Sequence, residues 1–226
     1  VVIAVMVLSV SGVAAAATGV FVNAHTHTYN HGWQLRAGGP GENLNVAGTN
    51  FDQVVLHESA GVSFPADYAA WRSFAVTHVA PPPICPADDH RPSCAILMST
   101  GMINAGIAGS AFCAWVLDWR HAELAGNTDA ARQAAAVIAK APRWKATTDL
   151  GSAYDAEYFG WMKAFVGPVK ANDVGAVDRL IASNSGAYFW FYDPTFITWL
   201  RQPWYRQHSH INVGRVYLRY LETGRL

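Results

Sequence analysis

The chain is short of charge. Asp, Glu, Lys and Arg make up 14% of its 226 residues, against roughly a quarter in soluble domains. Sixteen basic and sixteen acidic residues cancel. No net field then favours nucleic acid or an acidic surface, and no nucleic-acid partner is expected. Cysteine is equally rare. There are three, Cys85, Cys94 and Cys113, with no Cys-x-x-Cys, which argues against a structural zinc site built on thiolates. No Lys or Arg precedes Arg36, and residues 1–22 carry no charge. There is no internal repeat and no low-complexity tract, so the length suits one domain, or one domain plus an anchor.

What is present is apolar. The hydrophobic fraction is 51% and aromatics reach 12%, with nine Trp. Residues 1–22 read as a signal peptide or membrane anchor, with Ala14 to Ala17 offering the small residues that signal peptidase favours. The stretch lacks an initiator Met and a basic n-region, as in a truncated frame or one begun at an alternative codon. Residues 23–226 then form a single globular domain, incomplete if the frame is truncated. The expected location is the cell envelope, secreted or membrane-anchored. In an oxidising compartment Cys85 and Cys94, which bracket a Pro-rich loop, can close a short disulfide, while Cys113 reads as a buried hydrophobe.

A second uncharged run, Ala95 to Leu117, has 23 residues. As a helix it would extend roughly 35 Å, enough to cross a bilayer. Gly101, Ala105, Gly109 and Cys113 form a small-residue stripe suited to close helix packing. The same run also suits a soluble strand–turn–helix broken at Gly101, Gly106 and Gly109. Membrane contact is therefore expected, if at all, through 1–22 and 95–117.

Between these runs, residues 23–50 are polar and turn-rich, and Val54-Val55-Leu56 reads as a short buried strand. Helical spacing covers Ala66 to Val79. Asn127-Thr128-Asp129 can cap a helix from Ala130 to Ala141, and an aromatic stripe runs through Ser152 to Lys170. Asn172 can cap a helix bearing Val174, Val177, Leu180 and Ile181. A final helix, Ile211 to Glu222, buries Val213, Val216, Tyr217, Tyr220 and Leu221. The fold class is helix-rich α/β, with a mainly α protein carrying one or two transmembrane helices as the alternative.

The sharpest chemical feature is Gly-Val-Phe-Val-Asn-Ala-His25-Thr-His27-Thr-Tyr-Asn-His31. An apolar strand ending there would place His25 and His27, at i and i+2, on one face. Two imidazoles can then meet one divalent transition ion, zinc foremost. Such an ion lowers the pKa of a bound water and supplies hydroxide near neutral pH. His31 can add a ligand or support one. The plain alternative is a polar loop with incidental histidines.

Val20 to His27 resembles the first strand of the amidohydrolase superfamily, which ends in His-x-His inside a (β/α)8 barrel. Met102 to Ala108 is similar to a turn that leads into a later strand of that family. The resemblance implies a partial (β/α) barrel, a metal-dependent hydrolase and a small-molecule substrate, with His25 and His27 as metal ligands. Asn23 stands where the family often has Asp. Ala24 to Tyr29 also resembles, more weakly, the last metal motif of the calcineurin-like metallophosphoesterases, with Ala24 in place of Gly.

Further candidates are dispersed. His57, beside Glu58, can add a ligand or a base. His208 and His210 form a second His-x-His. Asp88-Asp89-His90 lies in the cysteine loop, and Asp118 with His121 share a helix face. The aromatics Tyr188 to Tyr192, Phe196, Trp199, Trp204 and Tyr205 suit core packing, sugar stacking or an interfacial belt. The rival functional class is a non-catalytic helical membrane or envelope subunit or scaffold.

Overall fold

The structure is a computed structural model, and it describes residues 23–32, 39–78, 97–148, 159–183, 189, 193–200 and 212–225. Two strands come first, β1 (His25–Asn30) and β2 (Gly41–Asn45), followed by helices α1 (Phe51–Glu58) and α2 (Ala69–His78). A third strand, β3 (Leu97–Ser99), runs directly into α3 (Thr100–Leu124). Then come α4 (Thr128–Lys140), the single turn α5 (Lys145–Thr148), α6 (Gly160–Lys170), α7 (Val174–Ala182), α8 (Pro194–Leu200) and α9 (Val213–Thr223). The strands form one antiparallel sheet in the order β1–β2–β3. The fold is therefore helix-rich, and no barrel is seen among the described residues.

The long helix α3 organises the rest. It has no polar face, and a helix apolar on all sides needs partners on all sides. Sixteen of its 25 residues are buried. Helices α1, α2, α4, α5 and α7 and strand β2 pack around it. It is the one helix among the described residues long and apolar enough to cross a membrane by length and composition. Most of that apolar surface is already covered by this chain's own elements. The run Ala95 to Leu117 thus supplies both a strand and an unbroken helix, and Gly101, Gly106 and Gly109 interrupt nothing. Ser99 starts the helix, its hydroxyl accepting from the Met102 N–H at 3.2 Å.

Two cores result. The larger joins Phe112 and Trp119 of α3 to Ile138, Met162, Phe165, Val177, Ile181 and Tyr217. Phe112 meets Phe165 and Trp161 edge-on at 5.8 and 5.1 Å. Arg120 crosses this core to Asp178 on α7, with Nε to Oδ1 at 2.6 Å and Nη2 to Oδ2 at 3.3 Å. The smaller core ties the sheet to the start of α3 through Ala24, Leu44, Phe51, Val54, Val55, Ile103 and Ile107.

Several local expectations change. Val54-Val55-Leu56 lies in α1, not a strand. Phe51, Val54 and Val55 are buried at i, i+3 and i+4 while Leu56 is exposed, a helical pattern compressed into too few residues to read. The cap of α7 is Asp173, whose Oδ1 accepts from the Ala176 N–H at 2.8 Å; Asn172 instead adopts a left-handed turn at φ 54°. As expected, Asn127 caps α4, and the segment 66–79 yields α2 after one 3-10 turn. The last helix is capped by Asn212, exposes Arg215, Arg219 and Glu222, and ends on Gly224 at φ 65°, the left-handed residue such ends favour. Cys113 is buried, and its thiol pKa is pushed up by that burial.

Candidate functional site

The site is built on β1, and the strand is the polar segment itself, His-Thr-His-Thr-Tyr-Asn. Its start is pinned by backbone packing and by Asn50. The Ala24 N–H donates to Asn50 Oδ1 at 2.8 Å, and Asn50 Nδ2 donates to Asn23 Oδ1 at 3.0 Å. Gly48 lies so close to the Ala24 backbone that a Cβ there would collide with it. His25 pairs with Leu44 of β2, the register then slips, and Tyr29 pairs with Glu42. Within the slip His27 takes φ 55°, a left-handed conformation uncommon for a residue with a Cβ. Three polar contacts hold it there. The His27 N–H donates to Glu42 Oε1 at 2.8 Å, Thr26 Oγ1 meets Thr28 Oγ1 at 2.6 Å, and the Thr26 hydroxyl donates to the Asn43 carbonyl.

Glu42 is the centre of the group. Its Oε2 lies 2.8 Å from His25 Nδ1, and its Oε1 lies 3.7 Å from His27 Nδ1. The two imidazoles stack with centroids 6.1 Å apart and planes 8° from parallel. Burial works against the ionised carboxylate. The bonds from the His25 ring and the His27 N–H, with the neighbouring imidazole charge, outweigh burial and hold the Glu42 pKa below its ordinary value. An ionised carboxylate only accepts. His25 Nδ1 must then carry the hydrogen, and its Nε2 is the nitrogen left for other work. His25 is half-buried and His27 exposed, so the group opens to solvent on the His27 side.

Glu42 was not legible as a site residue. It sits in Gly-Glu-Asn-Leu-Asn, and only the antiparallel pairing of β2 with β1 brings it to His25 and His27. Neither strand alternates in burial, so no local pattern marks that pairing. His31 lies exposed past the far end of β1, and His57 is exposed near the end of α1; the ion pairs of Glu42 are with His25 and His27. His208, His210, Cys85, Cys94, the Asp88-Asp89-His90 turn and segment 1–22 lie outside the described residues. Asp118 is half-buried, and its pKa is raised by burial and then by Asp67, with the exposed His121 pulling the other way.

Imidazole is a common ligand of transition ions, and a carboxylate often holds the other nitrogen of a ligating ring. The count is lower than a closed site requires. Among the described residues, no group of three or more His, Cys, Asp or Glu side chains is arranged to hold a metal ion. What the structure brings together is two imidazoles, His25 and His27, around one carboxylate, Glu42. No family model, no curated protein and no solved structure matches the chain, so its function is argued from this geometry.

Proposed function

We propose that the chain is an exported or membrane-anchored metal-dependent hydrolase acting on a small molecule, with His25 and His27 as ligands for a divalent transition ion, zinc foremost. The observation that carries this is the carboxylate lock on His25. Glu42 fixes one ring nitrogen and thereby sets the tautomer and direction of the other, as partners of ligand imidazoles commonly do. The left-handed backbone at His27 supports the same reading, since strain of this kind concentrates at working sites.

The chain's own residues would do three things. Glu42 holds the proton on His25 Nδ1 and keeps the ring from rotating. The open His27 side gives a substrate access from solvent. The ionised Glu42, beside both imidazoles, offsets positive charge brought to the site. A divalent ion bound there would supply a water of lowered pKa. The reading rests on this local group and does not require the partial barrel that the amidohydrolase resemblance implies.

The test is metal content by elemental analysis on protein purified without chelator. A stoichiometric transition metal is expected in the unaltered protein, lost in His25→Ala/His27→Ala and weakened about 10- to 100-fold in affinity in Glu42→Gln. Background metal in the unaltered protein would overturn the reading and favour the rival, a non-catalytic helical envelope subunit.

A further inference from the structure

His27 holds a backbone conformation, φ 55°, in which Cβ crowds the chain and which most residues with a side chain avoid. Something must keep it there. Glu42 accepts from the His27 N–H, and the rest of the hold comes from the two threonines that flank His27. Thr26 and Thr28 close on each other across it, with Oγ1 to Oγ1 at 2.6 Å.

Counting hydrogens gives the direction of each bond. A carbonyl oxygen only accepts, so the single hydroxyl hydrogen of Thr26 goes to the Asn43 carbonyl of β2. The Thr28 hydroxyl must then be the donor in its pair with Thr26 Oγ1. The Thr28 N–H also donates to Thr26 Oγ1, at 3.3 Å. Thr26 Oγ1 thus uses its one hydrogen and both lone pairs. Thr28 Oγ1 in turn accepts from Asn43 Nδ2 at 3.5 Å, and the same amide nitrogen donates to Asn30 Oδ1 at 3.0 Å. The bonds leave Asn43 through its side chain, pass Thr28 and Thr26, and return to the Asn43 carbonyl. His27 is the residue this ring spans, and β2 is its anchor. Every bond of the ring on the β1 side passes through Thr26 Oγ1.

We propose that Thr26 is a positioning residue for His27: its hydroxyl closes the ring that keeps His27 left-handed, and so sets the direction in which the exposed imidazole leaves the chain beside Glu42. The consequence for a metal ligand rests on the function proposed above; the conformational claim stands on the hydrogen bonds. Thr26 is half-buried and Thr28 exposed, so groups freed from the ring turn to water and the fold is kept. The test compares Thr26→Val, which keeps the branched shape and loses the hydroxyl, with Thr26→Ser, which keeps the hydroxyl. In NMR spectra of the isotopically labelled full chain, a positive φ gives His27 a strong cross-peak between its own N–H and Hα. That cross-peak is expected in the unaltered protein and in Thr26→Ser and is lost in Thr26→Val, with one thermal melt for all three. Thr28→Val, at an exposed position, removes the hydroxyl donor to Thr26 and should weaken the cross-peak in a folded chain. Zinc affinity, read by titration calorimetry, should fall about tenfold in Thr26→Val and recover in Thr26→Ser. A strong cross-peak in Thr26→Val, its loss in Thr26→Ser, or no change in Thr28→Val would overturn the proposal, and so would a zinc affinity indifferent to loss of the cross-peak. No zinc binding by the unaltered protein, with the cross-peak behaving as expected, would overturn the metal reading and uphold the positioning of His27.

Discussion

A matched pair of glycine substitutions tests how the sheet is joined to the central helix. Gly101 and Gly175 each occupy the second position of their helix, α3 and α7. Replacing either with Ala brings the same gain in helix propensity and the same loss of unfolded-chain freedom, at most about 1 kcal/mol. Their surroundings differ. A Cβ on Gly175 meets Asp173 Oδ1 at 3.5 Å, an ordinary contact. A Cβ on Gly101 falls within 3.0 Å of the Pro40 carbonyl oxygen and 3.2 Å from Pro40 Cδ. The carbonyl is main chain and has no rotamer by which to withdraw.

Relieving that clash moves the strand from the helix. Overpacking costs about 1–3 kcal/mol, and losing the Gly101 N–H to Pro40 bond costs about 1 more. Against a gain of about 1 kcal/mol, Gly101→Ala should be destabilised by about 1–3 kcal/mol, while Gly175→Ala should be stabilised by up to about 1 kcal/mol. Urea unfolding followed by tryptophan fluorescence reads both, with a change of midpoint at constant slope as the signature of altered stability. Equal behaviour of the two variants, or a stabilised Gly101→Ala, would refute the close approach of β2 to α3.

Three other outcomes follow from the packing and charge. Phe165→Ala should cost about 3–5 kcal/mol, because the ring is 2% exposed and meets Phe112 and Trp161 edge-on and Phe189 at a tilt; a loss under 1 kcal/mol in chemical denaturation would contradict the buried aromatic core. Asp178→Ala strands the Arg120 guanidinium, 7% exposed, without its carboxylate. The expected loss is about 2–4 kcal/mol, less than for a fully buried pair because the Asp178 side chain is 20% exposed. Glu42 has a folded pKa below its unfolded value, so its stabilising contribution is complete above the ordinary carboxylate range and is lost as pH falls through the folded value. Burial raises Asp193, whose contribution is greatest at low pH and is lost as pH rises through its folded value. The informative quantity is therefore the difference between the unaltered protein and Glu42→Gln in denaturant midpoints between about pH 3 and 7, which should shrink on the acid side.

Two of the amphipathic helices, α4 and α7, were readable because their signals are local. Asn127 before α4 and the stripe of Val177 and Ile181 in α7 need only a few neighbouring residues to interpret. The run Ala95 to Leu117 was ambiguous for a physical reason. Lipid and a protein core accept the same side chains, so composition cannot say which surrounds Phe112 and Val116. In the structure, side chains from other helices cover Phe112 and Val116. Strand β1 was misplaced because apolar content was taken as the strand signal, whereas Thr26, Thr28, Asn30 and Asn43 stabilise the sheet through polar contacts across its strands. Glu42 was missed because its partners lie 15 and 17 positions away in the sequence.

The residues Pro40, Gly41 and Glu42 explain how one short strand can serve two faces. Pro40 gives its carbonyl to the beginning of α3. Gly41, at φ 106°, lets the chain pass Thr100 where a Cβ would strike the threonine hydroxyl. Glu42 then turns back to the imidazoles of β1. The position of the Glu42 carboxylate is thus set by the packing of β2 on the helix around which the chain is built. Leu44 anchors the other end of the strand in the smaller core with Ile103 and Ile107 of that helix. Glu42 is largely buried, whereas the His27 side chain beside it is exposed. The histidine group therefore combines a fixed partner with an open side, and the rigidity comes from α3, not from the sheet, whose strands are too short to hold it alone.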